Sequence, residues 1–195
     1  MHIKQLQVTY QPHADRLLLR ISAGSGDEFR FWLTRRLVGL LAEPLGKHLL
    51  GLPLHEEIVA SSALSSSAQT SPVESSSEPA QNPVRHQAEA AFKHQQAVSS
   101  LQSGKTFDSP PEQNFPLGKE PLLVAKLGVT PADKGGVVLA LQSNNDQGLS
   151  VQLGSPLLHG FCELLVKCSD QAKWGLALNL VPSAEVAEPH SKAVH

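Results

Sequence analysis

The feature that most limits how this chain can fold is a repeat. Residues 17–45 align without a gap on residues 137–165, and the matched positions are the apolar ones. Leu17, Leu19 and Ile21 fall on Val137, Leu139 and Leu141; Phe29, Phe31 and Leu33 fall on Leu149, Val151 and Leu153; Leu37, Leu41 and Leu45 fall on Leu157, Phe161 and Leu165. Upstream the offset slips by one, so that Leu6, Val8 and Thr9 face Leu127, Val129 and Thr130. The first six pairs recur with period two and the last three with helical spacing, so each copy reads as three strands followed by a helix.

In the first copy the alternation covers residues 3–10, 16–23 and 27–33, with the Gly-containing "AGSGD" as a hairpin connection. In the second it covers 122–129, 137–143 and 148–153, and a helix over 156–168 places Leu157, Phe161, Leu164, Leu165 and Cys168 on one face. "WGLALNL", 174–180, alternates again and predicts a further strand. About 45 residues in a three-stranded sheet with one helix lie near the lower limit for an independent core. The expected fold is therefore α+β: two β-β-β-α units packed about a pseudo-twofold axis, each completing the other's core. A homodimer of the whole is left open.

Between the copies the texture changes. Residues 53–120 are rich in Ser, Ala, Gln and Pro, as in "SSALSSSAQTSPVESSSEPAQNP", with few large apolar side chains to offset the entropy of ordering. This predicts a disordered linker, within which residues 84–101 follow Pro83 with good helix formers and could make a short exposed helix. The expected organisation is a first unit over 1–52, the linker over 53–120, a second unit with its terminal strand over 121–181, and a disordered tail over 182–195.

Several classes of function recede. The net charge of −2 does not suit a surface built throughout for nucleic acid. The most apolar region, 37–54, is interrupted by Glu43, Pro44, Lys47 and His48 and falls short of a membrane span. No apolar run follows the alternating start, so no secretory signal is expected and the cytoplasm is the expected compartment. Cys162 and Cys168 read as two small buried side chains. The nine histidines include no pair at metal-site spacing, and those at 86, 94 and 159 read as solvated. "SGK" at 103–105 lacks the context of a phosphate loop, and no nucleophile elbow is present. No catalytic residue, cofactor or metal is expected; an enzyme without a recognisable motif is the least supported alternative.

The informative surface is the outer face of the first sheet. If Leu17, Leu19, Ile21, Phe29, Phe31 and Leu33 point inward, then Arg16, Leu18, Arg20, Glu28, Arg30 and Trp32 point outward. Arginines beside a tryptophan could hold phosphates and stack a base; equally, Arg16, Arg20 and Arg30 could pair with Asp15, Asp27 or Glu28. At the seam between strand and helix, Thr34 is a candidate N-cap, with Ser155 before Pro156 taking that role in the second unit. Arg35 and Arg36 then enter the first turn, where the helix dipole already presents positive potential; a bound anion, or Asp27 and Glu28, would relieve the conflict. Arg16, Arg20, Arg30, Trp32, Arg35 and Arg36 are thus the candidate anion-binding set. The second copy has uncharged residues at all six positions.

"DRLLLRI" and "EFRFWLTRRL" resemble the opening of a family of small, uncharacterised proteobacterial proteins, a resemblance that implies no activity. The two strand-meander-plus-helix copies are similar in architecture to the Whirly and PC4-type single-stranded DNA-binding regulators, which implies a nucleic-acid-binding role as one option. The expected function is a non-catalytic binding or assembly module that presents the basic sheet face and helix start to an anionic partner, protein before single-stranded nucleic acid.

Overall fold

The computed structural model describes residues 2–52, 57–60, 83–100, 107–108 and 113–180. Much of the expected linker and all of the expected tail lie outside the described residues. In the first copy β1 (Ile3–Gln11), β2 (Arg16–Ala23) and β3 (Glu28–Leu33) lead into α1 (Arg35–Leu49). After β4 (Glu57–Ala60), α2 (Pro83–Ser100) and the short β5 (Leu122–Leu123), the second copy runs β6 (Lys126–Ala132), β7 (Gly136–Gln142), β8 (Gly148–Leu153) and α3 (Ser155–Gln171). The chain is α+β, with two β-β-β-α units; in place of the single strand expected over 122–129, β5 joins the first sheet and β6 opens the second unit.

The repeat extends to the hydrogen-bond register. Leu17, Leu19 and Ile21 face Leu33, Phe31 and Phe29, while Val137, Leu139 and Leu141 face Leu153, Val151 and Leu149. The β2–β3 and β7–β8 turns also match: Ala23 donates to the Asp27 carbonyl and Ser143 to that of Gln147, both at 2.8 Å. Gly26 and Asp146 take the left-handed conformation at the same turn position, with φ 88° and 57°. Gly26 adopts it without a Cβ clash, and Asp is among the side chains that tolerate it best. The one-residue slip has a local cause. Residues 12–15 join β1 to β2, whereas the single 3₁₀ turn Asp133–Gly135 joins β6 to β7.

Each sheet has four strands, in the orders β1-β2-β3-β5 and β4-β6-β7-β8. The fourth strand is exchanged: β4 follows the first unit but pairs antiparallel with β6, and β5 precedes the second unit but pairs parallel with β3. The helices are exchanged in the same sense, since α3 packs on β1 and α1 reaches β6. Phe31, Leu37 and Leu41 of one unit and Leu139, Phe161 and Leu165 of the other, all fully buried, share one core. Units too small to stand alone are thus joined by pairing and packing as well as by sequence.

Three expectations need correction. Residues 174–180 form no strand: Lys173 and Gly175 both have left-handed φ, which breaks an extended run at its start. The segment instead lies along α1, where Leu176 approaches Gly39 and the Asn179 carbonyl approaches Gly46. The helix expected over 84–101 forms, but it is not wholly exposed: it packs against α3 and buries Ala90 and His94, while Phe92 and Lys93 remain exposed. The N-cap of α3 is Gly154, not Ser155, which places both helix starts at equivalent positions of the repeat. Among the described residues no helix is long and apolar enough to cross a membrane.

Candidate functional site

The structure divides the six candidate residues into two groups. Arg20 and Arg30 lie directly opposite each other on β2 and β3, a like-charge pair that needs an anion between them. Glu28, 1 % exposed, supplies it. Its Oε1 accepts from Arg20 Nε at 2.8 Å and Arg30 Nε at 2.6 Å, and its Oε2 accepts from Arg20 Nη2 at 3.1 Å. Burial raises the Glu28 pKa, but the hydrogen bonds and charges of both arginines outweigh it and hold the carboxyl below its usual range. The intervening segment closes over this cluster. The Phe107 ring lies 4.0 Å from the Arg20 guanidinium carbon and the Phe115 ring 4.6 Å from that of Arg30, while Arg30 Nη1 donates to the Lys119 carbonyl at 3.2 Å. These two arginines fix part of the chain between the units to the first sheet. They do not present an open face.

Arg16, Trp32, Arg35 and Arg36 occupy the other end of the same sheet. Arg16 opens β2 one residue before the Leu17–Leu33 pair, which sets it beside the β3–α1 junction. Trp32, half-buried, stands between Leu18 on β2 and Leu123 on β5. Thr34 caps α1 as expected: its backbone is extended (φ −82°, ψ 158°) and its hydroxyl accepts from the Leu37 N–H at 3.3 Å. Arg35 and Arg36 follow, both exposed, and the first turn contains no acidic residue. The acids that could have satisfied these arginines are engaged elsewhere. Asp27 accepts from Ser25 and Asn114, Glu28 holds Arg20 and Arg30, and Asp15 accepts from Tyr10 and from Trp174 Nε1. Among the described residues Arg16, Arg35 and Arg36 have no ion-pair partner.

A second polar cluster is not legible in the sequence, where His94 and His159 read as solvated. They are 6 % and 5 % exposed and meet at the interface of α2 with α3, Nδ1 to Nδ1 at 3.1 Å. His94 Nε2 lies 3.3 Å from Glu163 Oε2, and Lys167 reaches the other carboxylate oxygen at 3.0 Å. Burial, then the neighbouring His94, His48 and Lys93, lowers the His159 pKa to about 4. Burial would raise Glu163, but hydrogen bonds from Lys167 and His94 lower it on balance. The side chain of His86 lies outside the described residues. The signal was present as spacing: Ala90 and His94, like Ser155, His159 and Glu163, recur every four residues and so share a helix face. It was hidden because the face is polar, and a polar face reads as solvated unless another helix covers it.

Cys162 and Cys168 are buried and unpaired, and burial pushes the Cys162 thiol up to about 12, which makes it inert as a nucleophile at neutral pH. No group of three ligating side chains suited to a metal occurs among the described residues. Comparison with family models, with curated proteins and with solved structures returned no match.

Proposed function

We propose that the protein is a non-catalytic binding or assembly module of the cytoplasm that holds an anionic partner at the β3–α1 seam, through Arg35 and Arg36 with Arg16 and Trp32 beside them. One observation carries this reading: two exposed arginines, without ion-pair partners among the described residues, occupy the first turn of a helix whose dipole already presents positive charge. Each such placement costs a few tenths of a kcal/mol in isolation. A carboxylate or phosphate at the same place reverses the sign of that term and gains the free N–H groups of the helix start.

An acidic protein segment fits better than single-stranded nucleic acid. A stacking platform needs several exposed rings along a basic track. Here Phe107 and Phe115 lie against Arg20 and Arg30, leaving Trp32 as the aromatic beside the unpaired arginines. The resemblance to Whirly-type regulators therefore carries less weight than the charge pattern.

Fluorescence anisotropy with a labelled Glu-rich peptide and with labelled oligothymidylate, each at about 50 and about 200 mM salt, tests the reading. The peptide should bind more tightly than the oligonucleotide and weaken as salt rises. Tighter oligonucleotide binding would replace the protein partner with nucleic acid. Absence of binding by both probes at low salt would remove the site altogether.

A further inference from the structure

A cleft of about 560 Å³ opens where the C-terminal end of α1, the middle of α2 and the N-terminal end of α3 meet, closed below by the β6–β7 turn. Its volume is in the range of small-molecule sites. Its lining is divided. On one side Leu50 and Leu52, 39 % and 51 % exposed, offer apolar surface that the core does not use. On the other stand His48, Lys93, Ser155 and His159, with Glu89 as the one carboxylate lining it among the described residues.

His159 gives the cleft its chemistry. Glu163 faces His94 Nε2 and accepts a hydrogen bond from its N–H, which leaves His94 Nδ1 to accept from His159 Nδ1–H. The remaining nitrogen, His159 Nε2, keeps its lone pair and has no partner among the described residues, although the side chain is nine-tenths buried and lines the cleft. The start of α3 points to the same ligand class. Unlike α1 it has no side-chain cap, Pro156 has no N–H, and the backbone N–H groups of Ser155 and Leu157 have no acceptor among the described residues.

We propose that this cleft binds a small amphipathic acid, a carboxylate or phosphate monoester on an apolar stem. The acid group lies between Lys93, His159 Nε2 and the uncapped start of α3, and the stem rests on Leu50 and Leu52. The site is separate from the β3–α1 seam. His159 is held neutral in the free protein by burial and by His94, His48 and Lys93, so an oxyanion at Nε2 brings or recruits a proton. The groups facing His159 are His94, Lys93 and Glu89 from α2, His48 from α1 and Glu163 from α3; the β6–β7 turn contributes Pro131 and Gly135 to the lining. Binding of the ionised acid therefore strengthens as pH falls from neutrality towards the free-protein His159 value of about 4.

Titration of the full chain with octanoate and with octyl phosphate, followed by the histidine ring resonances and by calorimetry, tests this, with octanol and octylamine as controls. The acids should shift the His159 and His48 resonances, take up protons, and bind at least about tenfold more tightly than the controls. Lys93 is exposed, so Lys93→Glu should fold normally and lose about tenfold in affinity, while leaving Glu-rich peptide binding at the seam unchanged. The proposal fails if the rings do not respond at about 10 mM octanoate or octyl phosphate, if octanol or octylamine binds as well, or if Lys93→Glu binds octanoate like the wild type.

Discussion

The two β-β-β-α units agree wherever the core dictates the residue and differ wherever something other than the core is in contact. Their strands pair in the same register and their helices begin at equivalent positions, Thr34 and Gly154. Their coverings are unrelated. The first helix is lined by the irregular segment 174–180 and the third by α2; the first sheet is clasped by Phe107 and Phe115 through Arg20 and Arg30. Duplicated scaffolds solve the burial problem in both halves alike, so the differences between them identify what each half contacts. In the first unit that is the Glu28 cluster and the bare Arg35 and Arg36. In the second it is the histidine cluster and its cleft.

The largest expected effect comes from position 28 and its equivalent, 148. Glu28→Ala leaves Arg20 and Arg30 opposed without an anion and should lower stability by about 3 kcal/mol, as removal of one partner from a buried ion pair does. Gly148→Ala should destabilise for the opposite reason, because its Cβ would run into the Leu141 carbonyl oxygen and the Gln142 backbone. Denaturant unfolding of both variants checks this, and an unaffected Glu28→Ala would mean that the clasp does not hold the first sheet.

Acid titration sharpens the same point. The Glu28 pKa is lowered in the folded state from an ordinary 4.5, so its contribution is complete above about pH 4.5 and is lost as pH falls through the folded value. Denaturant midpoints measured from pH 6 downward should therefore fall less steeply in Glu28→Gln than in the wild type.

Smaller effects are expected at the helix starts. Thr34→Ala should cost about 1 kcal/mol by removing the cap on Leu37. Gly154→Asp, at a site with an extended backbone and open space around a new Cβ, should gain a few tenths of a kcal/mol by giving α3 the kind of cap that α1 has. Thermal unfolding of the pair would show whether the two helix starts are interchangeable.

The scaffold was legible in the sequence because period-two and helical spacings act over many residues and survive averaging. What was not legible depended on few residues in a polar setting. β5 is two residues long, and Phe107 and Phe115 are isolated rings in a segment whose composition argues against order. His94 and His159 look solvated until α2 is placed on α3. Residues 174–180 alternate like a strand, yet left-handed Lys173 and Gly175 turn the chain along α1 instead. The division of the basic set was only half visible. Pairing of Arg20 and Arg30 with Glu28 could be weighed in advance, but whether Asp15 and Asp27 were free for Arg16, Arg35 and Arg36 depended on Tyr10, Trp174, Ser25 and Asn114.

The central claim is that the seam special to the first unit is where a partner binds, and the charge-reversed protein Arg35→Glu/Arg36→Glu tests it most directly. Its affinity for the labelled Glu-rich peptide at about 50 mM salt should fall by at least about tenfold, with the thermal transition of the wild type retained, because both side chains are exposed and have no ion-pair partner among the described residues. Unchanged peptide affinity in that folded variant would contradict the account.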